Sequence, residues 1–366
     1  MKLYSENARK IIFLVSFWIV VTVFYVFYDW SIYNHDVRIT SSSDIPAYDL
    51  SSAIISTLLA TIVGGVFIAS IEVFYFSKLL RKAPFGLSLL IKTVFYFINI
   101  MFFTSAAIIL ASSMQYNKPL FHPDVIDEYL SILSSPRLLS IWMLWGFTVI
   151  IALFILQISE KLGQGVLINY LLGKYHKPRE ELRIFMFLDL KSSTSLAERL
   201  GHIKYSQLIQ DCFFDLTDVV SKHQAQIYQY VGDEVVLSWE MNSGLKDNNS
   251  LNVYFDYAKA INSRKAHYLS KYGVVPEFKA GLDGGLVTVA EVGEIKKELA
   301  YHGDVLNTAS RIQGMCNQYQ ANVLLSERLM NQFTELAVMK AELIGNLRLK
   351  GKDQMTNVYS ISSENH

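Results

Sequence analysis

The sequence predicts a chain in two parts, an N-terminal all-α four-helix transmembrane domain and a C-terminal α+β domain of ferredoxin-like type. Three observations lead there. Hydrophobic residues make up 51% of the 366 and charged residues 18%, whereas a soluble enzyme of this size carries nearer a quarter charged. Four apolar runs of bilayer length are confined to residues 1–157. Beyond Arg179 charge rises, and short alternating runs of strand type interleave with helical periodicity.

The apolar runs are Ile11 to Tyr28, Ile54 to Phe76, Leu87 to Ala111 and Ile141 to Gln157. A backbone in hydrocarbon must satisfy its own hydrogen bonds, so each reads as a helix in contact with membrane lipid. No small-residue cleavage site follows the first, and Tyr25, Phe27, Tyr28 and Trp30 form an interfacial aromatic belt, so it reads as an anchor and not a signal peptide. Lys2, Arg9 and Lys10 precede the first run and Lys78, Arg81 and Lys82 fill the tight second connection, which marks both as cytoplasmic. The loops Asp29 to Leu50 and Ser112 to Ser140 are acidic and belong outside. The expectation is a multi-pass protein of a cell inner membrane with its N-terminus and C-terminal domain in the cytoplasm. Glu72 and Lys92 fall inside spans near a cytoplasmic end, where snorkelling of Lys92 and interfacial placement of Glu72 are expected. The spans lack paired Gly/Pro-broken helices, which argues against a transporter.

Lys plus Arg equals Asp plus Glu at 33 each, so no charge excess points to nucleic acid. Cys212 and Cys316 lack metal-type spacing and read as small buried apolar residues of a reducing compartment.

Residues 158–178 keep apolar residues at helical spacing until Pro178 and read as a juxtamembrane helical linker. Gly163, Gly165 and Gly173 weaken it as a rigid rod. The domain at 179–366 is long enough for one buried core. Its expected elements are a strand at Leu182 to Leu188, helices at Thr194 to Leu200 and Tyr205 to Lys222, and a hairpin at Gln226 to Trp239. A helix at Tyr254 to Lys271, strands at Glu277 to Leu282 and Leu286 to Val292, and a helix at Val305 to Asn317 follow. A short strand near Asn322 to Leu325 and a terminal β pair ending at Tyr359 complete it.

Three motifs carry chemistry. In F-L-D-L-K-S-S-T, Phe187 to Thr194, an apolar strand ends in Asp189, and Ser195 with Glu198 suggests a capping box for the next helix. A carboxylate at a strand tip beside helix N–H groups suits a metal over a polyphosphate, although a plain N-cap explains the pattern equally well. In I-Y-Q-Y-V-G-D-E-V-V-L-S-W, Ile227 to Trp239, Gly232 and Asp233 form a hairpin turn, and the Asp-Glu pair is placed to share a metal with Asp189. In G-D-V-L-N-T-A-S-R, Gly303 to Arg311, Asp304 is placed to cap a helix from which Asn307 and Arg311 project on one face. An amide beside a guanidinium suits a ribose oxygen and the charge on a transferring phosphoryl group, although alone the pattern reads first as a solvated polar face.

In this order and spacing the motifs resemble the class III adenylate and guanylate cyclase family, from roughly Leu182 to Ile361. G-L-D-G-G-L-V-T-V-A-E-V-G, Gly281 to Gly293, looks like the family's G-I-H-T-G strand pair, and L-R-L-K-G-K-D-Q-M-T-N-V-Y, Leu347 to Tyr359, like its L-K-G segment. The resemblance implies a class III cyclase domain that turns a nucleoside triphosphate, ATP foremost, into its 3′,5′-cyclic monophosphate and pyrophosphate for intracellular signalling. It implies two Mg2+ or Mn2+ ions per site on Asp189 and Asp233, with the Leu190 backbone in support, and Asn307 and Arg311 as the transition-state pair. It further implies that Ser193, Thr194 and Lys350 hold phosphates, with Lys296 a weaker candidate, and that a homodimer shares two sites.

The base-reading positions depart from the family. Where adenine-selecting members have Lys and an Asp or Thr, and guanine-selecting members typically Glu with Cys, this chain has Gln229 and Ala300. Gln both donates and accepts, so a guanylate or pyrimidine nucleotide cyclase stays an alternative. Val231-Gly232-Asp233-Glu234-Val235 also resembles the GGDEF turn of diguanylate cyclases, but Val replaces its first Gly and last Phe, and G-D-x-x-N-x-x-x-R is foreign to that pattern. A non-enzymatic membrane receptor using a cyclase-like dimerisation module is the alternative of another class. Degeneration usually deletes a metal Asp or the Arg, and all four key residues stand here.

Overall fold

The computed structural model describes residues 2–40, 49–76, 79–80, 83–162, 169, 173–295, 297–336, 339–348 and 355–363. The chain forms two compact units, Met1–Lys161 and Leu162–His366.

In the first unit α1 spans Lys2–Thr40, α2 Leu50–Ile71, α3 Phe85–Tyr116, α4 Pro123–Leu133 and α5 Pro136–Leu162. Four stretches are long and apolar enough to cross a membrane, Ile11–Ser31, Leu50–Phe76, Phe85–Tyr116 and Leu138–Ile158, in agreement with the four expected spans. The helix α4 was expected as loop. It is a short amphipathic segment with Pro123 in its first turn and His122 as its N-cap, so its signal is only three turns long. Asp49 caps α2 by accepting from the Ser51 and Ser52 amides.

One expectation is overturned inside this bundle. Lys92 is 5% exposed and does not snorkel, and its ammonium lies 2.5 Å from Glu72 Oε1 while the Tyr96 hydroxyl donates to Glu72 Oε2 at 2.5 Å. Two ionisable groups in an apolar bundle cost less as a hydrogen-bonded pair than apart. Glu72 opens a π-helical turn, Glu72–Phe76, at the end of α2. Trp18, Ile68, Tyr96 and Trp145 pack nearby in the unit's apolar core, and a Cβ on Gly64 would stand 2.7 Å from the Phe103 ring, so α2 and α3 approach closely.

Of the expected juxtamembrane helical linker 158–178, residues 163–168 and 170–172 lie outside the described residues. In the second unit β1 spans Arg179–Leu190, α6 Ser193–Leu200, α7 His202–Lys222, β2 Gln226–Val231, β3 Glu234–Glu240 and α8 Met241–Leu245. Then come α9 Asn249–Ser263, α10 Lys265–Tyr272, β4 Phe278–Val292, β5 Glu298–His302 and α11 Asp304–Met315. The unit closes with β6 Val323–Ser326, α12 Glu327–Met330, β7 Met339–Arg348 and β8 Met355–Ser363.

These strands form one sheet in the order β2-β3-β1-β4-β6-β8-β7, with β5 paired to β4. All pairs are antiparallel except β4 with β6. Alternation along β1 divides the core: Ile184, Met186 and Leu188 pack with Trp239 and Tyr257 on one face, while Phe185 packs with Val287, Val305 and Ala309 beneath α11 on the other. Two expected strands prove to be one, because Gly284 and Gly285 stay in register with Ile184 and Arg183 instead of turning. The expected helix Tyr254 to Lys271 begins earlier and breaks at Arg264.

Two buried charges lock the central strands. Arg183, 2% exposed, reaches Glu181 and Gln226 at 2.8 Å each, and its guanidinium stacks 5.0 Å from the Tyr301 ring. Asp283 is fully buried; it accepts from the Gly284 amide at 2.8 Å, from the Ser326 hydroxyl at 2.5 Å and from the Arg328 guanidinium. Arg328 also stands 3.8 Å from Asp304, which fixes the start of α11 against β4 and α12.

Candidate active site

Strand β1 delivers Asp189 to the rim of the sheet between Glu234 of β3 and Lys279 of β4, its partners in register. Its Oδ2 accepts from Gln313 Nε2 at 2.8 Å and lies 3.3 Å from the Lys279 ammonium. Burial, and then the neighbouring Asp233, push the Asp189 carboxyl above its ordinary pKa.

Asp233 follows Gly232, whose φ of +64° makes the β2–β3 turn. Its Oδ2 is buried with no hydrogen-bond partner. Glu234 is pushed up to about 7, chiefly by burial and then by Asp189 and Asp233. Tyr205 is pushed up to about 12 by burial and by the neighbouring Asp233. The site is thus a half-buried acidic patch with Lys279 as its neighbouring cation.

Leu190 buries its side chain in the core and pairs with Phe278, leaving its backbone at the rim. Ser192, at φ +54°, lies in the turn after β1 as the N-cap of α6, which begins at Ser193. The expected capping box is absent: Ser195 sits inside the first turn, where its hydroxyl donates to the Ser192 carbonyl at 3.0 Å, and no side chain caps α6. Ser193 is half-buried and Thr194 exposed at this uncapped start.

The expected cap at the third motif is also corrected. Gly303 occupies the N-cap position, and Asp304, the first helical residue, accepts from the Thr308 hydroxyl at 3.2 Å. Val305, Thr308, Ala309, Ile312 and Gln313 are the buried residues of α11, while Asn307 is exposed and Arg311 half-buried. Two residues along a helix is a rotation of about 200°, so the helix that presents Gln313 to Asp189 turns Arg311 away from it. Among the described residues neither Asn307 nor Arg311 has a hydrogen-bond or ion-pair partner. Within one chain, therefore, the two carboxylates meet and the Asn/Arg pair does not join them.

Gln229 is exposed on β2, just past a bulge at Tyr228. Ala300 is half-buried on β5 opposite Ala290. Their neighbours Tyr228 and Tyr301 meet edge to face with ring centroids 5.0 Å apart, and both meet Phe185, so an aromatic bridge crosses the sheet face and links the two strands. Lys296 and Lys350 lie outside the described residues.

Sequence reasoning missed Lys279, Gln313 and Tyr205. The signal for Lys279 was a lone lysine between Phe278 and Ala280 in an expected strand. Gln313 and Tyr205 carry no local signal, because only the packing of α11 and α7 aims them at the carboxylates.

Comparison with known proteins agrees with this architecture. The family described as "Adenylate and Guanylate cyclase catalytic domain" matches residues 175–363. "Adenylate cyclase 2" of Rhizobium meliloti (strain 1021) is 34% identical over 211 residues, 58% of this chain and 58% of that protein. "Adenylate cyclase 1" of the same organism is 28% identical over 182 residues, 48% of this chain and 27% of that protein. The alignments thus span between a quarter and three fifths of those relatives. The solved structure of a bacterial light-regulated adenylyl cyclase shares the fold with a TM-score of 0.52 at 16% identity, over 63% of this chain and 66% of that one. With a match that takes in more than half of its length, the chain belongs to the adenylate and guanylate cyclase catalytic domain family.

Proposed function

We propose that the chain is a membrane-anchored nucleotidyl cyclase that converts ATP to 3′,5′-cyclic AMP and pyrophosphate at two sites shared across a homodimer, for intracellular signalling. The observation that carries this reading is the Asp189–Asp233 pair: burial and mutual repulsion raise the Asp189 pKa, and Asp233 Oδ2 is buried without a partner. Two such carboxylates oppose each other until a cation sits between them. Their oxygen chemistry fits Mg2+ or Mn2+. Among the described residues no three His, Cys, Asp or Glu side chains form a metal-holding group, so the Leu190 backbone and substrate oxygens would complete the coordination. When bound, two such ions supply Lewis acidity at the reacting phosphoryl group and favour the ionised ribose hydroxyl.

The chain's own residues do the rest. Asn307 orients the ribose, and Arg311 neutralises the charge that develops as the ribose 3′-oxygen bonds to the α-phosphorus and the bond to pyrophosphate breaks. The α6 backbone at Ser193 and Thr194, with Lys350 and Lys296, holds the triphosphate. Because α11 turns Asn307 and Arg311 away from its own Asp189, each pair serves the carboxylates of the partner chain. ATP is assigned from the adenylate cyclases among the relatives, with Gln229 and Ala300 at the base. Residues 1–157 anchor the dimer in a cell inner membrane, 158–178 link, and 179–366 face the cytoplasm, as the basic residues of the short connections support.

The test is to incubate purified protein separately with ATP, GTP, CTP and UTP plus Mg2+ or Mn2+ and to identify products by mass spectrometry. Cyclic AMP is expected from ATP; no cyclic nucleotide from any of the four would overturn the reading.

A further inference from the structure

Arg183 is a buried cation that the acidic patch does not use. It lies on β1 with 2% of its surface exposed, where a guanidinium is tolerated only if its N–H donors are met. Its Nε donates to Glu181 Oε2 at 2.8 Å, and its Nη1 donates to Gln226 Oε1 at 2.8 Å and to Ser238 Oγ at 3.3 Å. Its Cζ stands 5.0 Å from the centroid of the Tyr301 ring. One side chain on β1 therefore reaches three other strands: Ser238 is on β3, Gln226 on β2 and Tyr301 on β5.

Two of those strands carry the base-reading positions. Gln229 lies three residues beyond Gln226 on β2, and Ala300 is the neighbour of Tyr301 on β5. The sheet does not join these strands directly: β2 pairs with β3 and β5 with β4, so β3, β1 and β4 stand between them. Four strand spacings amount to about 19 Å along the sheet. Side chains span that distance across the face, Arg183 by its contacts with Gln226 and Tyr301, and Tyr228 by meeting Tyr301 with ring centroids 5.0 Å apart. A guanidinium holds its donors in a rigid planar fork, so it fixes direction as well as distance. A ligand held between two elements demands that their spacing be kept within about 0.5 Å.

We propose that Arg183 is a positioning residue for the nucleotide base: it touches no substrate, and its fork sets the spacing of the β2 and β5 segments that carry Gln229 and Ala300. The inference rests on the cyclase reading above. Asp189 lies six residues further along β1, about 20 Å of strand, so the metal and phosphate groups are out of reach of this fork. Loss of Arg183 should then weaken the hold on the base and spare the hold on the phosphates.

The test titrates the full chain in nanodiscs, in Mg2+, with two probes. One is α,β-methylene-ATP, which carries the base but cannot release pyrophosphate; the other is inorganic tripolyphosphate, which has no base. Arg183→Met, similar in reach and uncharged, is expected to raise the dissociation constant of the first at least about fivefold and that of the second less than about twofold. Gln226→Leu acts at an exposed position, which keeps the test decisive should the buried variant not fold. It is expected to raise the first constant at least about threefold, with the second again within about twofold. Arg264→Met removes an ion pair with Asp215 of α7; it is expected to lower the melting temperature and leave both constants within about twofold. Constants that rise together in Arg183→Met, constants that stay unchanged in it or in Gln226→Leu, or an equal split in Arg264→Met would overturn the inference. Cyclic AMP made by the wild type in the same preparation upholds the cyclase reading whatever these titrations give, and a wild type that makes no cyclic nucleotide overturns both.

Discussion

Gly281 of β4 and Gln313 of α11 meet backbone to backbone: a Cβ on Gly281 would stand 2.2 Å from the Gln313 amide nitrogen and 2.5 Å from the Ala309 carbonyl. This approach lets α11 lie close enough to the sheet for Gln313 to reach Asp189. Gly281→Ala is expected to push the helix outward, costing about 2–3 kcal/mol of stability and at least tenfold in turnover. Gly314→Ala, on the same helix with nothing within 4 Å of its Cβ, should leave stability equal or raise it by up to about 1 kcal/mol. Thermal melts of the pair check this; equal melting of both variants would refute the packing argument.

Asp189→Ala and Asp233→Ala are each expected to lower turnover by more than about a thousandfold, some 4 kcal/mol, with an unchanged circular dichroism spectrum. In chelator, Asp233→Asn should melt above the wild type, because the repulsion that raises the Asp189 pKa is gone. A variant that loses activity and melts lower in chelator would show that Asp233 acts by holding the fold.

The acidic patch also sets a pH dependence. Glu234 is raised from an ordinary 4.5 to about 7, so above about pH 4.5 the unfolded chain releases a proton that the folded chain keeps. Metal-free stability should therefore be highest at the acid side of this window and fall as pH rises through about 7. Half-exposure limits the effect to a drop of about 2–4 °C in Tm. Glu234→Gln should flatten the profile, and melts in chelator from pH 5 to 8 would reveal the slope or its absence.

Mixing inactive Asp189→Ala with inactive Arg311→Ala should restore up to about a quarter of wild-type activity, since half of randomly assembled dimers are mixed and each carries one intact site. Co-purification with two tags establishes that mixed dimers form. Silence from such dimers would place each site within a single chain.

Gln229→Lys with Ala300→Asp should sharpen selection of ATP, because a charged pair left unmatched by the wrong base costs more than a rotatable amide does. With Gln229 alone, measurable turnover of a second triphosphate is expected. A wild type that already prefers one triphosphate by about a thousandfold would show that other residues read the base.

Much of this was legible because some physical signals are local. The four spans are readable from length and hydropathy alone, and Asp189 and Asp233 from apolar strands that end in an acid. Caps were less legible: Ser195 and Asp304 are ordinary capping residues, but the N-cap positions are Ser192 and Gly303, three residues and one residue before the pattern implies. What could not be read depends on chain segments meeting. Glu72 and Lys92 are 20 residues apart in sequence, and nothing in either span says that they face each other. Gln313 likewise becomes part of the site only because Gly281 lets its helix descend.

The two faces of α11 have a mechanical consequence in the proposed homodimer. Through Gln313 the helix grips Asp189 of its own chain, and through Asn307 and Arg311 it serves the carboxylates of the partner. A rotation of this one rod of about a tenth of a turn would unseat both sites in opposite senses. The dimer would then behave as a geared pair, in which adjusting one half resets the other.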